Sequence, residues 1–286
     1  MKHGFASVGA RRRLALISGL LFFALPGPQA TAGGTSTCTF TGGEVVVDLQ
    51  QDQAVGILSR DNLGVIQYND GNTPAAQPCG LANVATTNLI TIEDTSNNGN
   101  TGIILDVREG HLANGGNEIP IKVDLGSGTI DSFGVIGGAG KDVWTFGTEK
   151  GNLQKDTEAE IEFERLPDFG FGTAQGGRDN LCASGGRGTG GTSVIGWVFV
   201  GGDNDDRLCG SLVTDRLVGS GGDDIVRGKG GSDRIKGKGG DDRLRGNSSA
   251  DTLFGGQGTD DLNGGPGTDT CNGGAGSDSR GRCEGR

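Results

Sequence analysis

The residues from Gly201 to Gly281 read GGDNDDRLC, GSLVTDRLV, GSGGDDIVR, GKGGSDRIK, GKGGDDRLR, GNSSADTLF, GGQGTDDLN, GGPGTDTCN, GGAGSDSRG: nine nonapeptides with no insertion. Position 1 is glycine in all nine. Position 6 is aspartate in all nine: Asp206, Asp215, Asp224, Asp233, Asp242, Asp251, Asp260, Asp269 and Asp278. Position 8 is Leu, Leu, Val, Ile, Leu, Leu, Leu, Cys and finally Arg280. Glycine and aspartate at positions 1–6 favour a tight turn. Positions 7–9 suit a short strand, in which the middle side chain points to one side and its neighbours to the other. The apolar position 8 then faces inward and positions 7 and 9 face water. Two nonads make one coil, and coils stack at about one strand spacing, ~4.8 Å. Leu208, Val226, Leu244 and Leu262 form one inner ladder; Leu217, Ile235, Leu253 and Cys271 form the facing one.

The same stacking piles up charge. Asp206, Asp224, Asp242, Asp260 and Asp278 line one edge; Asp215, Asp233, Asp251 and Asp269 line the other. Unit charges ~4.8 Å apart repel by roughly 3–4 kcal/mol at an effective dielectric near 20, so the array accumulates about 25 kcal/mol. Domain stabilities are only about 5–15 kcal/mol. Residues 201–286 hold just 12 Leu, Ile, Val or Phe to set against this, so a bare array should stay disordered. A hard divalent cation between turns converts the repulsion into bonding. Carboxylates and turn carbonyls are all-oxygen ligands, which suits Ca2+ over Zn2+ or Cu2+.

The pattern resembles the haemolysin-type (RTX) calcium-binding repeat, G-G-x-G-x-D-x-U-x, and looks like that of secreted, actinobacterial-like proteins of this type. The resemblance implies a right-handed parallel β-coil, or β-roll, that holds Ca2+ between coils. The ligands it implies are the nine position-6 aspartates and carbonyls of the glycine turns, among them Gly219, Gly221, Gly237, Gly239 and Gly255. Position 4 departs from the pattern at Asn204, Val213 and Ser249, and position 8 at Arg280. Positive φ is costly for a β-branched residue such as Val213. The edge with Asp224, Asp242 and Asp260 is therefore expected to bind calcium more tightly than the edge with Asp215 and Asp251.

Upstream, residues 1–32 read as a secretory signal. Lys2, Arg11, Arg12 and Arg13 precede an apolar run from Leu14 to Leu25, and Ala30-Thr31-Ala32 supplies a cleavage site. The run is too short to span a bilayer. Its removal would take the formal charge from −11 to −15, and no later segment is apolar enough to cross a membrane. All six cysteines lie beyond this point, at 38, 79, 182, 209, 271 and 283. An even count in an exported chain favours disulfides. Neighbour pairing (Cys38–Cys79, Cys182–Cys209, Cys271–Cys283) is the simplest of the possible arrangements. Cys271 points inward on the last apolar rung, so its bond to Cys283 would fold the polar tail over the coil's open end. Zinc is disfavoured: there is no CxxC, and His111 is the one histidine after the leader.

Residues 33–200 are β-leaning. Glu44–Leu49, Ile103–Val107, Ile119–Leu125 and Glu158–Phe163 are strand candidates, punctuated by clusters such as 96–100. One isolated nonad runs from Gly137 to Thr145, with Asp142 at position 6 and Trp144 at position 8; Gly177 to Leu181 is a weaker copy. The expectation is an all-β chain. An irregular β-coil, or another β-rich domain such as a sandwich, occupies 33–200, the calcium-binding roll 201–281 and a cap 282–286.

Glycine makes up 59 of 286 residues, but without the strict third-residue period of collagen. The net charge of −11 argues against nucleic acid as a partner. Neither a phosphate loop nor an EF-hand fits: Val135 and Asp142 replace the required Gly and Ser/Thr around Gly137–Lys141, and Thr214 replaces the terminal Glu of a loop from Asp203. No catalytic constellation stands out. Arg227, Lys229, Arg234, Lys236, Lys238, Arg243 and Arg245 form a basic run. It suits either an anionic cell-surface polysaccharide or a solvated face offsetting the aspartates. The sequence thus reads as a secreted, extracellular calcium-binding protein. The competing classes are an exported polysaccharide-active lyase or epimerase and a cell-surface adhesion module.

Overall fold

The computed structural model describes residues 36–49, 55–70, 75–95, 101–108, 113–114, 117–125, 131–147, 150–152, 161–163, 167, 169–183, 193 and 195–284. The leader at 1–32, His111, the 96–100 cluster and residues 158–160 lie outside them. Gly33–Arg286 forms one unit. Among the described residues every regular element is a strand, and no helix is long and apolar enough to cross a membrane.

The strands fall into two long sheets, with a small hairpin of Ala113–Asn114 and Asn117–Glu118 beside them. One sheet runs Thr37–Thr41, Glu44–Asp48, Leu89–Glu93, Ile121–Asp124, Ile161–Phe163, Lys150–Asn152, Val143–Phe146, Asn180–Cys182, Arg207–Cys209, Ile225–Lys229, Arg243–Asn247, Asp261–Asn263, Ser279–Gly281. The other runs Gln77–Asn83, Val65–Asn69, Val55–Arg60, Gly102–Asp106, Ser132–Ile136, Phe169–Thr173, Gly196–Gly202, Arg216–Gly221, Arg234–Gly239, Thr252–Gln257, Thr270–Ala275. The chain alternates between the sheets and advances one parallel rung each time, as the 18-residue coil requires. Leu208 aligns with Val226, Val226 with Leu244 and Leu244 with Leu262. Leu217, Ile235, Leu253 and Cys271 align in the facing sheet. All eight side chains are fully buried.

The parallel coil extends well upstream of the array. Gly196–Gly202 pairs with Phe169–Thr173 on one side and Arg216–Gly221 on the other, so the sheet crosses residue 200 unbroken. Coil lengths are irregular here because antiparallel pieces interrupt the winding. Thr37–Thr41 folds back on Glu44–Asp48, Val55–Arg60 continues into a three-strand meander, and Lys150–Asn152 is wedged between Val143–Phe146 and Ile161–Phe163. These rungs have the conventional core that the array lacks. Phe146 stacks on Trp197 at 4.3 Å between ring centres, Trp197 on Phe199 at 5.1 Å, and Phe133 meets Phe163 edge-on at 5.1 Å. Such contacts add about 0.5–1.5 kcal/mol each beyond area burial.

Both ends of the coil are closed covalently. Cys38 pairs with Cys79, tying the first strand to the meander, with Cα atoms 5.1 Å apart. Cys182 and Cys209 pair at 4.4 Å across adjacent rungs, and Cys271 and Cys283 at 5.7 Å. All three are the neighbour pairs, within the span a disulfide bridges. The last bond draws Cys283 onto the core beneath the final rung. Arg280 stands opposite Leu262 but is exposed, which ends the apolar ladder there. Closing the 12-residue loop between these cysteines contributes about 3 kcal/mol in the chain-entropy view. Cys283→Ser should therefore lower the denaturant midpoint of the calcium-loaded chain and loosen Thr270–Ala275; an unchanged midpoint would show that the tail is not a cap.

Candidate metal centre

Each position-6 aspartate closes its turn in one way. Up to the last coil, its backbone N–H donates to the Oδ1 of the aspartate one coil further on. On one edge this relay runs from Asp142 to Asp179, Asp206, Asp224, Asp242, Asp260 and Asp278, at 2.7 to 3.1 Å. On the other it runs from Asp215 to Asp233, Asp251 and Asp269, at 2.7 to 2.8 Å. There it ends on the tail, where the Asp269 N–H donates to Glu284 Oε2 at 2.7 Å and Glu284 N–H returns to Asp269 O at 2.9 Å. Glu284 thus takes the place of the next rung's aspartate. Asp142 and Asp179, which the sequence shows only in stray copies of the motif, extend the first edge by two rungs.

The second carboxylate oxygens behave differently. Oδ2 of Asp142, Asp179, Asp206, Asp224, Asp233, Asp242, Asp251, Asp260 and Asp269 is buried with no hydrogen-bond partner. A buried, unpartnered carboxylate oxygen is costly, and its repetition along both edges, Asp215 and Asp278 excepted, marks a place for a cation. The invariant glycine at position 1 is the other half of the cradle. A Cβ on Gly237 would overlap Asp242 Oδ2 and stand 2.8 Å from Gly255 O of the following coil; Gly201 and Gly255 have the same surroundings with Asp206 and Asp260. The space a methyl group would fill is bordered by one carboxylate and one carbonyl oxygen, a donor set for calcium. Among the described residues no three His, Cys, Asp or Glu side chains converge, so a site here must draw on backbone carbonyls.

Turn geometry corrects the expected grading of the two edges. φ is positive at position 4 in Asn204, Gly222, Gly240 and Gly258, and at position 2 in Gly202, Ser220, Lys238 and Gly256. At Ser220 and Lys238 the sequence carries no signal for this, since Ser and Lys are not left-handed formers. On the other edge GNSSAD conforms fully, with Asn247 at 76° and Ser249 at 85°. Only GSLVTD departs: neither Ser211 nor Val213 has positive φ. There Ser211 N and Oγ donate to Asp215 Oδ2 at 2.6 and 3.0 Å, and Leu212 and Val213 turn outward, 54% and 39% exposed. Asp215 is therefore satisfied within its own turn, whereas Asp251 is built like Asp242. Asp278 is half-buried at the open end. The edges differ for another reason as well. Asp205, Asp223 and Asp241 at position 5 form a second acidic row on the first edge; their Oδ1 atoms accept the N–H of Asp223, Asp241 and Thr259 at 3.1, 2.8 and 2.7 Å.

Burial, reinforced by neighbouring aspartates, raises these carboxyls: Asp224 and Asp233 to about 8, Asp242 and Asp206 to about 7, Asp251 to about 6. Without a cation the closed coil favours the protonated form.

The RTX calcium-binding nonapeptide repeat (4 copies) matches residues 210–244, 227–262 and 245–279, about a quarter of the chain. No curated protein and no solved structure matches the chain. The array is thus a set of RTX repeats, which bind Ca2+, in a calcium-binding protein.

Two measurements follow. Gly237→Ala should lower calcium stoichiometry as Asp242→Asn does, because the new Cβ occupies the cradle, whereas Asp215→Asn should leave stoichiometry unchanged; calorimetric titration of the three would refute the assignment if Asp215→Asn removed a site and Gly237→Ala did not. The second concerns pH. A raised carboxyl pKa contributes stability that is complete below the unfolded value near 4 and is lost as pH rises through the folded value. In chelator, β-structure should therefore be greater at pH 5 than at pH 8 and decline between about 6 and 8; a circular dichroism signal flat over that range would contradict this.

Proposed function

We propose that the chain is an exported protein in which Ca2+ lodges between successive coils along both edges and drives the array to fold. The reading is carried by the row of buried aspartate Oδ2 atoms without hydrogen-bond partners. Asp206, Asp224, Asp242, Asp260 and Asp278 serve one edge, extended by Asp142 and Asp179; Asp233, Asp251 and Asp269 serve the other. Carbonyls of Gly219, Gly221, Gly237, Gly239 and Gly255 complete the oxygen shells. Calcium bound between such carboxylates replaces repulsion with coordination, and its binding energy becomes folding energy.

Export follows from the leader features of residues 1–32 and from the disulfide pairing of all six cysteines, which suits an oxidising compartment. In a calcium-poor cytosol the array stays open; outside, it closes. On this reading residues 33–200 form the scaffold, 201–281 the metal-dependent array and 282–286 its cap.

Far-UV circular dichroism of residues 33–286 tests the coupling. In millimolar calcium the full β-spectrum is expected; in chelator at neutral pH the array's share should disappear and return on adding calcium. Superimposable spectra and melting curves in the two conditions would overturn the reading.

A further inference from the structure

The coil splits the basic run between opposite faces. Arg234 and Lys236 stand on one sheet, over the Phe254 ring at 4.9 and 5.8 Å. Arg227, Arg243 and Arg245 stand on the other sheet, joined by Arg207 from outside the run. Arg207 aligns with Ile225 and Ile225 with Arg243; Cys209 aligns with Arg227 and Arg227 with Arg245. Because Leu208, Val226 and Leu244 between them are buried inward, these side chains point outward. Four guanidiniums thus occupy three successive rungs, about 4.8 Å apart, along the stacking direction.

Their neutralisation is incomplete. Arg243 and Arg245 share Asp261, at 3.6 and 2.5 Å. Among the described residues, Arg207 and Arg227 have no carboxylate partner. Partial burial, then the charges of Arg207, Arg245 and Arg243, hold the Arg227 pKa below its ordinary value. A chain of net charge −11 therefore gathers like charges on one outer face with a single carboxylate, Asp261, paired to them.

We propose that this face docks a linear polyanionic polysaccharide, lying along the coil axis with its carboxylate or sulfate groups on Arg207, Arg227, Arg243 and Arg245. Planar guanidinium forks bind such oxyanions in pairs. The row is narrow and advances one rung at a time, which fits a single extended chain. The turns leading into these strands carry the exposed Asp223 and Asp241 and the half-buried Asp205, which pairs with Arg178, two residues before position 7 of each rung. That acidic rim repels a broad anionic surface such as a nucleic acid duplex or a lipid bilayer, while a thin chain passes beside it.

The test uses the calcium-loaded chain at physiological salt, with heparin and polygalacturonate as probes; duplex DNA and phosphatidylserine vesicles are the alternatives. Arg207→Gln with Arg227→Gln should weaken polysaccharide binding about ten-fold or more. Arg234→Gln with Lys236→Gln, which removes the same charge from the opposite face, should change it less than about two-fold. Circular dichroism in calcium confirms folding of both variants; if the first misfolds, Arg227→Gln alone should still weaken binding several-fold more than the control. Equal losses in the two variants, no binding of either polysaccharide, or tighter binding of DNA or vesicles would overturn the proposal.

Discussion

The constraint on which the array depends is the burial of one carboxylate per turn at strand spacing. Along both edges the aspartates give Oδ1 to the N–H of the preceding coil, and all but Asp215 and the half-buried Asp278 leave Oδ2 bare. The first interaction sets the register between coils. The second is a cost repeated along both edges, and on the proposed reading it is what a cation between the coils relieves. Glycine at position 1 follows from the same geometry, since any side chain there would occupy the space beside Oδ2. The inner ladder contributes a single apolar side chain per nonad and cannot offset such a cost alone.

This divides labour along the coil. The upstream rungs share the two-sheet winding but hold Phe133, Trp144, Phe146, Trp197 and Phe199 in their interior. Their stability has a large hydrophobic share, although Asp142 and Asp179 carry the carboxylate row two rungs into them. They also present two finished strand edges, Gly196–Gly202 and Asn180–Cys182, on which the first array rungs pair directly. On the proposed reading the metal-dependent rungs grow from strand edges already packed around an aromatic core, avoiding the cost of nucleating parallel pairing in an open chain. At the far end, Glu284 and the Cys271–Cys283 bond finish the carboxylate relay and the apolar ladder together.

The array was legible because its signals are local and periodic: position 8 marks the inward face, position 6 the edge, and the final Arg280 the end of the ladder. Cysteine pairing was legible because neighbours along a solenoid remain neighbours in space. What stayed hidden depends on contacts between coils. Lys229 and Lys238 adopt positive φ at position 2 because the stacked turns require it, and lysine advertises no such preference. Val213 escapes the strain expected of it because Ser211 caps Asp215 and the turn takes another shape. The strand Lys150–Asn152, wedged antiparallel into a parallel sheet, follows no repeat. The basic run is continuous in sequence, yet successive nonads belong to opposite sheets, so its residues face two ways.

The central claim, that calcium occupancy and closure of the array are one event, is tested most directly by hydrogen exchange across 36–284 as a function of free calcium at neutral pH. The account predicts that amides of 201–284, including the aspartate N–H groups that feed the next coil, gain protection together as calcium rises, while the aromatic rungs upstream are protected throughout. Full protection of 201–284 in chelator would contradict it.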